Sequence, residues 1–153
     1  MPTYHVFYES PIGFIEIISD ETFIYSCNFV ENEGFITKLP KILVKALAQI
    51  GQYFLKERTE FDLLLAPSGT EFQQKVWVEL LNIPYGETIT YKELASRIGK
   101  KSAIRAAGNA NSKNPISIII PCHRVVGSNG DLVGYGGGIE RKKWLLEFEK
   151  GNS

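Results

Sequence analysis

The sequence predicts an α/β fold for residues 1–67 and a mostly helical fold with a helix-turn-helix for residues 68–153. Short β-branched and aromatic runs, separated by turn residues, fill residues 4–29. Helix-capping sequences recur in the second half, and the formal charge changes sign between the halves. Because a stretch with proline and glycine spans residues 59–69, we expect the boundary between two small domains there.

Length and composition limit the class of protein. The chain has 153 residues, of which 44% are hydrophobic and 22% charged, as in ordinary globular proteins rather than disordered ones. No apolar run approaches the ~20 residues of a membrane helix, and the N-terminal residues lack the pattern of a signal peptide. We therefore expect a cytoplasmic protein without a membrane partner.

Three strands and one helix are predicted before the boundary. Turn clusters SPIG and SDET separate the strands, which favours an antiparallel meander. After Pro40, apolar residues recur at three- and four-residue steps, as in an amphipathic helix that packs on a sheet. The strands are Tyr4 to Tyr8, Phe14 to Ile18 and Phe23 to Phe29, and the helix stripe is Leu43, Leu47, Ile50 and Phe54.

The two cysteines, Cys27 and Cys122, are too few for a disulfide framework. Strand alternation places Cys27 on the same face as the aromatic residues at positions 23, 25 and 29, so we expect a buried core thiol there. His5 lies on a terminal strand with no second ligand at a useful spacing, which favours a structural role over metal binding. Cys122 is therefore the cysteine to examine for reactivity.

The helices of the second half have recognisable starts. T-x-x-E/Q capping boxes begin at Thr70 and Thr90, so helices are predicted to start at residues 71 and 91. The second of these ends at Gly99, and Ser102 is placed to cap a third. Two short helices joined by a tight turn with glycine indicate a helix-turn-helix, an outline that a plain three-helix bundle shares.

The third helix combines one arginine, Arg105, with many small residues. Small side chains let a helix backbone approach another surface closely, which fits tight packing on a neighbouring helix and contact with a DNA groove equally well. Charge gives weak support to the second reading: residues up to Pro67 carry a net −4, and those from Ser68 onward a net +4. The small residues are Ala103, Ala106, Ala107, Gly108 and Ala110.

A thiol and an imidazole stand together in the sequence NPISIIIPCHRVV. The apolar run at residues 116–120 predicts a buried extended segment, and Pro121 ends it immediately before Cys122 and His123. A buried inert cysteine would not need His123 or Arg124 beside it, so the pattern favours a reactive site.

Geometry restricts how this pair can work. Consecutive side chains diverge, so we expect a water rather than direct contact to link Cys122 to His123. A histidine base also needs a third group to hold its second nitrogen, and the C-terminal helix offers both Glu147 and Glu149. The glycine-rich residues 127–138 lack the G-K-[ST] of a phosphate loop, but they allow backbone amides to approach a ligand.

Six sequence features together resemble the O6-alkylguanine-DNA alkyltransferases, also called methylated-DNA–protein-cysteine methyltransferases. The resemblance is strong over residues 68–149 and weaker at the front, where FYESPIGFIEI resembles the ribonuclease-H-like N-terminal domain of that family. It implies single-turnover DNA repair, in which an alkyl group moves from O6-alkylguanine to a cysteine of the protein. The features are PCHRVV, TYKELA, Arg105, Asn114-Pro115, GYGGG and KKWLLEFE.

The resemblance also implies the chemical roles of individual residues. Cys122 corresponds to the alkyl acceptor, with His123 as its water-linked base and Glu149 completing the relay. Asn114 corresponds to a hinge residue that braces the turns around the site. Tyr91 corresponds to the tyrosine that helps rotate the nucleotide outward and donates a hydrogen bond to the guanine.

Further implied roles concern DNA and the base. Arg105 corresponds to the finger that fills the gap left in the duplex. From the charge and the small side chains of this region, we also expect DNA contacts at Ala103, Ala106, Ala107, Gly108 and Lys113. Double-stranded DNA containing O6-alkylguanine is thus the expected partner of a monomeric protein without a cofactor. Because only His5 and Cys27 are available for an N-terminal zinc site, we expect no metal. The implied base pocket comprises Tyr91, Val125, Tyr135 and Gly136.

Three other functions remain open at the level of sequence. Alkyltransferase-like proteins share the fold but replace the acceptor cysteine, so the presence of Cys122 argues against a module that only binds lesions. A turnover thiol hydrolase would release product repeatedly and need no DNA. A helix-turn-helix repressor would leave the PCHR sequence without a role.

Overall fold

The computed structural model describes residues 2–151, which fall into two compact units that divide between Ser68 and Gly69. The first unit contains a three-stranded antiparallel sheet in the order β1-β2-β3 and one helix, α1, which packs on β1 and β2. The three predicted strands and the helix are all present. Their bounds are β1 Tyr4–Ser10, β2 Gly13–Ser19, β3 Ile24–Val30 and α1 Lys41–Phe54.

The face assigned to strand β3 is wrong at its start. The pairing of β2 with β3 shifts between Ile18 and Ser19, so Tyr25 is an extra residue and the alternation changes there. Ile24 and Cys27 are both fully buried, whereas Phe23 precedes the strand and is 37% exposed. The prediction of Cys27 as a core thiol is confirmed.

Helix α1 buries a wider face than its predicted stripe. Leu43, Ile50 and Phe54 are buried as expected, but Leu47 is only half-buried, and Ala46, Gln49 and Tyr53 complete the face. The buried amide of Gln49 donates to the backbone carbonyl of Asp62 at 3.2 Å and accepts from the Asp62 amide at 2.9 Å. The segment around residue 62 is therefore bound to the first unit and is not a free linker.

The second unit is mostly helical, as predicted. Helix α2 is tied to α4 by the indole of Trp77, which donates to the carbonyl of Ala110 at 2.8 Å. Helices α3 and α4 pack on each other and are joined by a turn with Gly99 at φ +80°, which forms the helix-turn-helix. The elements are α2 Glu71–Leu80, β4 Ile89–Thr90, α3 Tyr91–Arg97, α4 Ile104–Ser112, β5 Val125–Val126 and α5 Ile139–Glu149.

The predicted helix caps are only partly present. Thr70 and Gln73 form the complete reciprocal box. Thr90 accepts from the Glu93 amide at 3.1 Å, while the Glu93 carboxylate pairs with Arg97 at 2.6 Å. Ser102 does not cap α4, whose N-cap is Ala103 without a side-chain hydrogen bond. Over residues 2–151, every helix falls short of the length and apolarity needed to cross a bilayer.

Candidate active site

Cys122 is presented by a set of tight turns, not by the extended segment that the sequence predicted. Residues 116–120 are buried, but Ile118 has φ 69°, and its successors hydrogen-bond back over two and four residues. A left-handed conformation is unusual for a β-branched residue and is tolerated where surrounding contacts enforce it. The β propensity of the isoleucines is thus overridden by tertiary contacts at the base of the site.

Asn114 holds these turns together. Its side-chain amide donates to the carbonyls of Ile116 and Ile120 at 3.2 and 2.8 Å, and its side-chain carbonyl accepts from the Ile116 amide at 2.9 Å. A second buried amide, Asn111, donates to the Cys122 carbonyl at 3.2 Å. The backbone that carries the thiol is therefore fixed from both sides.

His123 and Glu149 form the buried pair expected for a base and its orienting acid. Residues 122–124 form a single turn of 3₁₀-helix, and His123 Nε2 lies 2.7 Å from Glu149 Oε2. Glu147 is exposed, so the structure resolves the alternative that the residues alone left open. In the part of the chain that is described, no hydrogen bond joins the Cys122 sulfur to the His123 ring, and the buried Nδ1 makes none.

Arg124 joins His123 and Glu149 in a buried triad of side chains. Its Nε donates to Glu149 Oε1 at 2.8 Å and its Nη2 to Glu149 Oε2 at 3.0 Å. Burial alone would raise the pKa of Glu149, but the charges and hydrogen bonds of His123 and Arg124 outweigh it and hold that pKa well below its usual range. Burial lowers the pKa of His123 against the opposing effect of Glu149. A neutral imidazole beside an ionised carboxylate is the resting arrangement.

The Cys122 thiol is protonated in this environment. The residue is 4% exposed, and burial raises its pKa to about 11, although a hydrogen bond from Asn114 and the charge of Lys142 oppose the rise. At pH 7 roughly one thiol in ten thousand would ionise unaided. A nucleophilic Cys122 would therefore require a base, and the adjacent His123 is the candidate for that role.

Lys142 is a buried cation that the sequence analysis did not identify. Its ammonium group donates to the Val133 carbonyl at 2.7 Å and lies 3.3 Å from the Tyr91 hydroxyl. Burial lowers the pKa of Lys142 to about 8, and the nearby Cys122 opposes this. Lysines are seldom buried without a specific role, because the ammonium is costly to remove from water. Here the cation ties residues 127–138 to the helical core beside the thiol.

A cavity of about 520 Å³ opens next to this cluster, and helix α4 forms one of its walls. Tyr91 lines it and donates its hydroxyl to the Val133 carbonyl at 2.7 Å. Burial raises the pKa of Tyr91. A volume of this size accommodates a nucleobase with an alkyl group. The lining residues are Tyr91, Ile104, Arg105, Gly108, Ser112, Val133 and Gly134.

Some of the small residues of helix α4 pack against the protein, and others are exposed where DNA could contact them. Arg105 and Ala106 are exposed, and Ala103 is half-buried at the helix start. The assignment of Ala107 to DNA contact is wrong, because its side chain is completely buried on the packed face. Gly108 lies against the Tyr91 ring, where a Cβ would approach to 3.3 Å, and Lys113 is exposed just after the helix.

Three residues of the expected base pocket lie outside the cavity lining. Val125 is fully buried in a short parallel pair with Ile89, and Tyr135 is 7% exposed. Gly136 is exposed, and a Cβ there would lie 3.5 Å from the Ser112 carbonyl oxygen. Of the four expected pocket residues, Tyr91 is the one that lines the cavity in this conformation.

Sequence reasoning missed Arg124, Lys142 and Asn111 as site residues. Arg124 was noted only as a neighbour of the Cys-His pair, and nothing local to Lys142 separates it from the exposed Lys143. His5, assigned a structural role, pairs with Glu16 on the neighbouring strand at 2.8 Å. Within residues 2–151 no group of three or more His, Cys, Asp and Glu side chains is placed to bind a metal ion.

The second unit combines a buried thiol beside a His–Glu pair with a helix-turn-helix that carries an exposed arginine. This combination defines a class of protein that performs thiol chemistry next to a DNA-binding motif. Residues 71–151 match the family described as 6-O-methylguanine DNA methyltransferase, DNA binding domain. Residues 3–67 match 6-O-methylguanine DNA methyltransferase, ribonuclease-like domain. The chain therefore belongs to the 6-O-methylguanine DNA methyltransferase family.

Relatives and solved structures agree over nearly the whole chain. A methylated-DNA–protein-cysteine methyltransferase of Methanosarcina acetivorans is 46% identical over 159 residues, covering 95% of this chain and 97% of the relative. One from Mycobacterium bovis is 47% identical over 147 residues, covering 93% and 89%. The crystal structure of Mycobacterium tuberculosis O6-methylguanine methyltransferase has a TM-score of 0.89 at 44% identity and covers 99% of this chain and 95% of that one. The crystal structure of OGT from the same organism in complex with DNA also has a TM-score of 0.89, at 46% identity, and covers 97% and 94%.

Proposed function

We propose that this protein repairs DNA by direct reversal, transferring an alkyl group from O6-alkylguanine to its own Cys122 in a single turnover. The observation that carries the proposal is the buried Cys122 thiol next to a buried His123, whose Nε2 lies 2.7 Å from Glu149 Oε2. Family membership and relatives named methylated-DNA–protein-cysteine methyltransferases support the same reaction.

The chemistry starts with a proton transfer. Cys122 gives its proton through a bridging water to Nδ1 of His123, the ring nitrogen that does not face Glu149. The thiolate attacks the alkyl carbon, the carbon–O6 bond breaks, and its electron pair stays on the guanine. A proton from Tyr91 neutralises the guanine, and the proton held by His123 then returns to Tyr91 through water, so that both side chains end as they began. The new thioether has no group beside it that could hydrolyse it, so each molecule acts once.

The remaining site residues position the thiol and the base. Asn114 braces the turns below Cys122, and its amide favours the thiolate. Tyr91 must exchange its Val133 hydrogen bond for the base before it can donate to guanine. In this proposal the Val125 carbonyl, the Tyr135 ring and the Gly136 amide complete the pocket once the base has entered.

DNA binding is assigned to the helix-turn-helix unit. An extruded nucleotide leaves a gap in the duplex, and we assign Arg105 to fill it because its side chain is exposed on the wall of the cavity. In this assignment Ala103, Ala106 and Gly108 allow the helix to approach the DNA closely, and Lys113 contacts the phosphate backbone of the DNA. We assign residues 68–153 to DNA binding and alkyl acceptance, and residues 1–67 to a scaffold. The protein would act as a monomer in the cytoplasm, where a free thiol stays reduced.

Intact mass after incubation with excess O6-methylguanine duplex tests the proposal. We expect a mass increase of one methylene per molecule, mapped to Cys122. Cys27 is the internal control, because it is fully buried in the sheet and burial raises its pKa to about 12. Repeated turnover without a mass change would support a thiol hydrolase instead, and binding without transfer would support a lesion-recognition module.

Lys142→Met is expected to slow the single-turnover reaction roughly tenfold, because one unit of thiol pKa corresponds to a factor of ten in thiolate. The positive charge that favours the Cys122 thiolate is present below the lysine pKa of about 8 and is lost as pH rises through it. The wild-type rate should therefore fall above about pH 8, and this alkaline limb of the pH–rate profile should be absent in Lys142→Met. Quenched-flow alkylation across pH measures the rate loss and the shape of the profile. Retention of the limb in Lys142→Met would contradict the assignment, and Lys142→Arg serves as the charge-preserving control.

Lys113→Ala is expected to reduce the salt dependence of binding to undamaged duplex. If Lys113 neutralises one phosphate, the slope of log affinity against log salt should decrease in magnitude by about one unit. Fluorescence anisotropy over a salt series provides the slope. Lys41→Ala is the matched control, since it removes an exposed lysine from helix α1 of the first unit. An altered slope in the control and not in Lys113→Ala would place the DNA on a different face.

A further inference from the structure

Arg124 satisfies the carboxylate of Glu149 almost completely. Its guanidinium contacts both oxygens, at 2.8 and 3.0 Å, in the two-pronged geometry that fits a carboxylate. The third prong, Nη1, donates to the Ile83 carbonyl at 2.7 Å, and the Tyr85 ring centroid lies 5.6 Å from the guanidinium carbon. The amide of Gly86 adds a weak contact to Glu149 Oε1 at 3.4 Å.

These contacts fix the orientation of the Glu149 carboxylate. Both carboxylate oxygens accept from Arg124, so the plane of the carboxylate is fixed by the guanidinium. The oxygen that accepts from Nη2 is also the one that lies 2.7 Å from His123 Nε2. Arg124 and Glu149 are each about nine-tenths buried or more, so water cannot substitute for a missing donor without reorganisation.

We propose that Arg124 is a positioning residue of the reaction, which holds Glu149 in the orientation where one carboxylate oxygen faces His123 Nε2. The inference rests on the proposed function and deepens it. The proton from Cys122 stops on His123, because Arg124 keeps Glu149 as a carboxylate and the resulting imidazolium is stabilised by it. No bond to Arg124 forms or breaks.

Arg124 also affects when His123 is neutral. The charged groups that act on the imidazole are Glu149 and Lys142 from α5 and Arg124 from its own turn, and Cys122 is the titratable residue before it in that turn. Burial lowers the pKa of His123, Glu149 opposes this, and the two cations add to the lowering. Loss of Arg124 would leave Glu149 less compensated, so the imidazole would hold a proton up to higher pH and could not accept one from the thiol there.

The test measures single-turnover alkylation by saturating O6-methylguanine duplex across pH, with quenched samples analysed by intact mass. The variants are Arg124→Met, Arg124→Lys, Glu149→Gln and the double variant Arg124→Met/Glu149→Gln. The double variant removes both charges of the buried pair, so it folds without an unpaired charge even where Arg124→Met does not. Arg97→Met is the matched control, because Arg97 pairs with Glu93 at 2.6 Å on α3 and is remote from the thiol in function.

We expect Arg124→Met to slow alkylation roughly ten- to a hundredfold, by analogy with the loss of a partner that orients a metal-ligating side chain. The acid limb of its pH–rate profile, where protonation of His123 stops the reaction, should move to higher pH, while affinity for duplex is unchanged. Arg124→Lys keeps the charge and loses the fork, so the acid limb should stay near the wild-type position with a rate between the two. In the Glu149→Gln background, Arg124→Met should have little further effect, because Arg124 acts through Glu149.

Several outcomes would overturn the inference. A wild-type rate and acid limb in folded Arg124→Met, with only a lower Tm, would reduce Arg124 to a structural link between Ile83 and α5. Equal losses from Arg124→Met in the wild-type and Glu149→Gln backgrounds would show that it does not act through the carboxylate. Failure of the wild-type protein itself to gain mass at Cys122 would instead contradict the proposed function, so the two failures are distinguishable.

Discussion

Cys122→Ser is expected to abolish alkyl transfer completely, with no mass increase after prolonged incubation with methylated duplex. A serine hydroxyl is a far weaker nucleophile than a thiol in equilibrium with its thiolate, and His123 cannot ionise it to a useful extent. The substitution is nearly isosteric, so the buried position should tolerate it. Binding of undamaged duplex should be unchanged, because the proposed DNA contacts are on α4 and after it.

Cys27→Ser provides the matched control for that experiment. Its thiol is also fully buried, but it lies in the sheet of the first unit and has no histidine partner in the described structure. We expect full alkylation of Cys27→Ser wherever the variant folds, since a buried hydroxyl without a partner lowers stability by about 1–3 kcal/mol. Alkylation that persists in Cys122→Ser and disappears in Cys27→Ser would reverse the assignment of the acceptor.

The sequence predicted those elements whose signals are local. Strand alternation between turn clusters located β1, β2 and β3, and the T-x-x-Q box at Thr70 located the start of α2 to the residue. Each of these signals depends on neighbours within four positions, so no tertiary contact was needed to interpret it. Ser102 shows the limit, because a suitable residue type does not cap a helix that begins two residues later.

The errors occur where distant contacts decide the local structure. Residues 116–120 have high β propensity, yet the side chain of Asn114 draws their backbone into turns. The shift between β2 and β3 inserts Tyr25 into the strand pairing, which no period-two pattern can indicate in advance. In both places the regular hydrogen-bond pattern of a strand is interrupted by specific hydrogen bonds or packing.

The site was only partly predictable for the same reason. Cys122 and His123 are adjacent in sequence, and the residues alone reduced the acid to Glu147 or Glu149, which the resemblance to the alkyltransferases then separated. Arg124 and Lys142 belong to the site through contacts with residues 25 and 51 positions away, respectively. A basic residue next to a motif is normally interpreted as exposed, and only the fold reveals that these two cations are buried.

Arg105→Ala is expected to slow repair of O6-methylguanine in duplex DNA by roughly a hundredfold or more, since extrusion of a base costs a few kcal/mol and the arginine is proposed to hold the gap. Reaction with free O6-benzylguanine should be nearly unchanged, because a free base needs no extrusion. Arg105 is exposed on the wall of the 520 Å³ cavity, so its loss leaves the buried Cys122 cluster intact. Single-turnover rates at saturating duplex, beside rates with the free base, measure the ratio.

Lys113→Ala separates insertion from charge in this comparison. It also removes one positive charge, at the C-cap of α4, so it should weaken duplex affinity. The rate at saturating duplex should stay close to wild type. Arg105→Lys should recover part of the duplex rate, because the longer stem fills some of the gap that alanine leaves open. Equal losses of Arg105→Ala on duplex and free base would make Arg105 a structural residue of the cavity wall. A loss in Lys113→Ala as large as that in Arg105→Ala would show that charge, and not insertion, governs the duplex reaction.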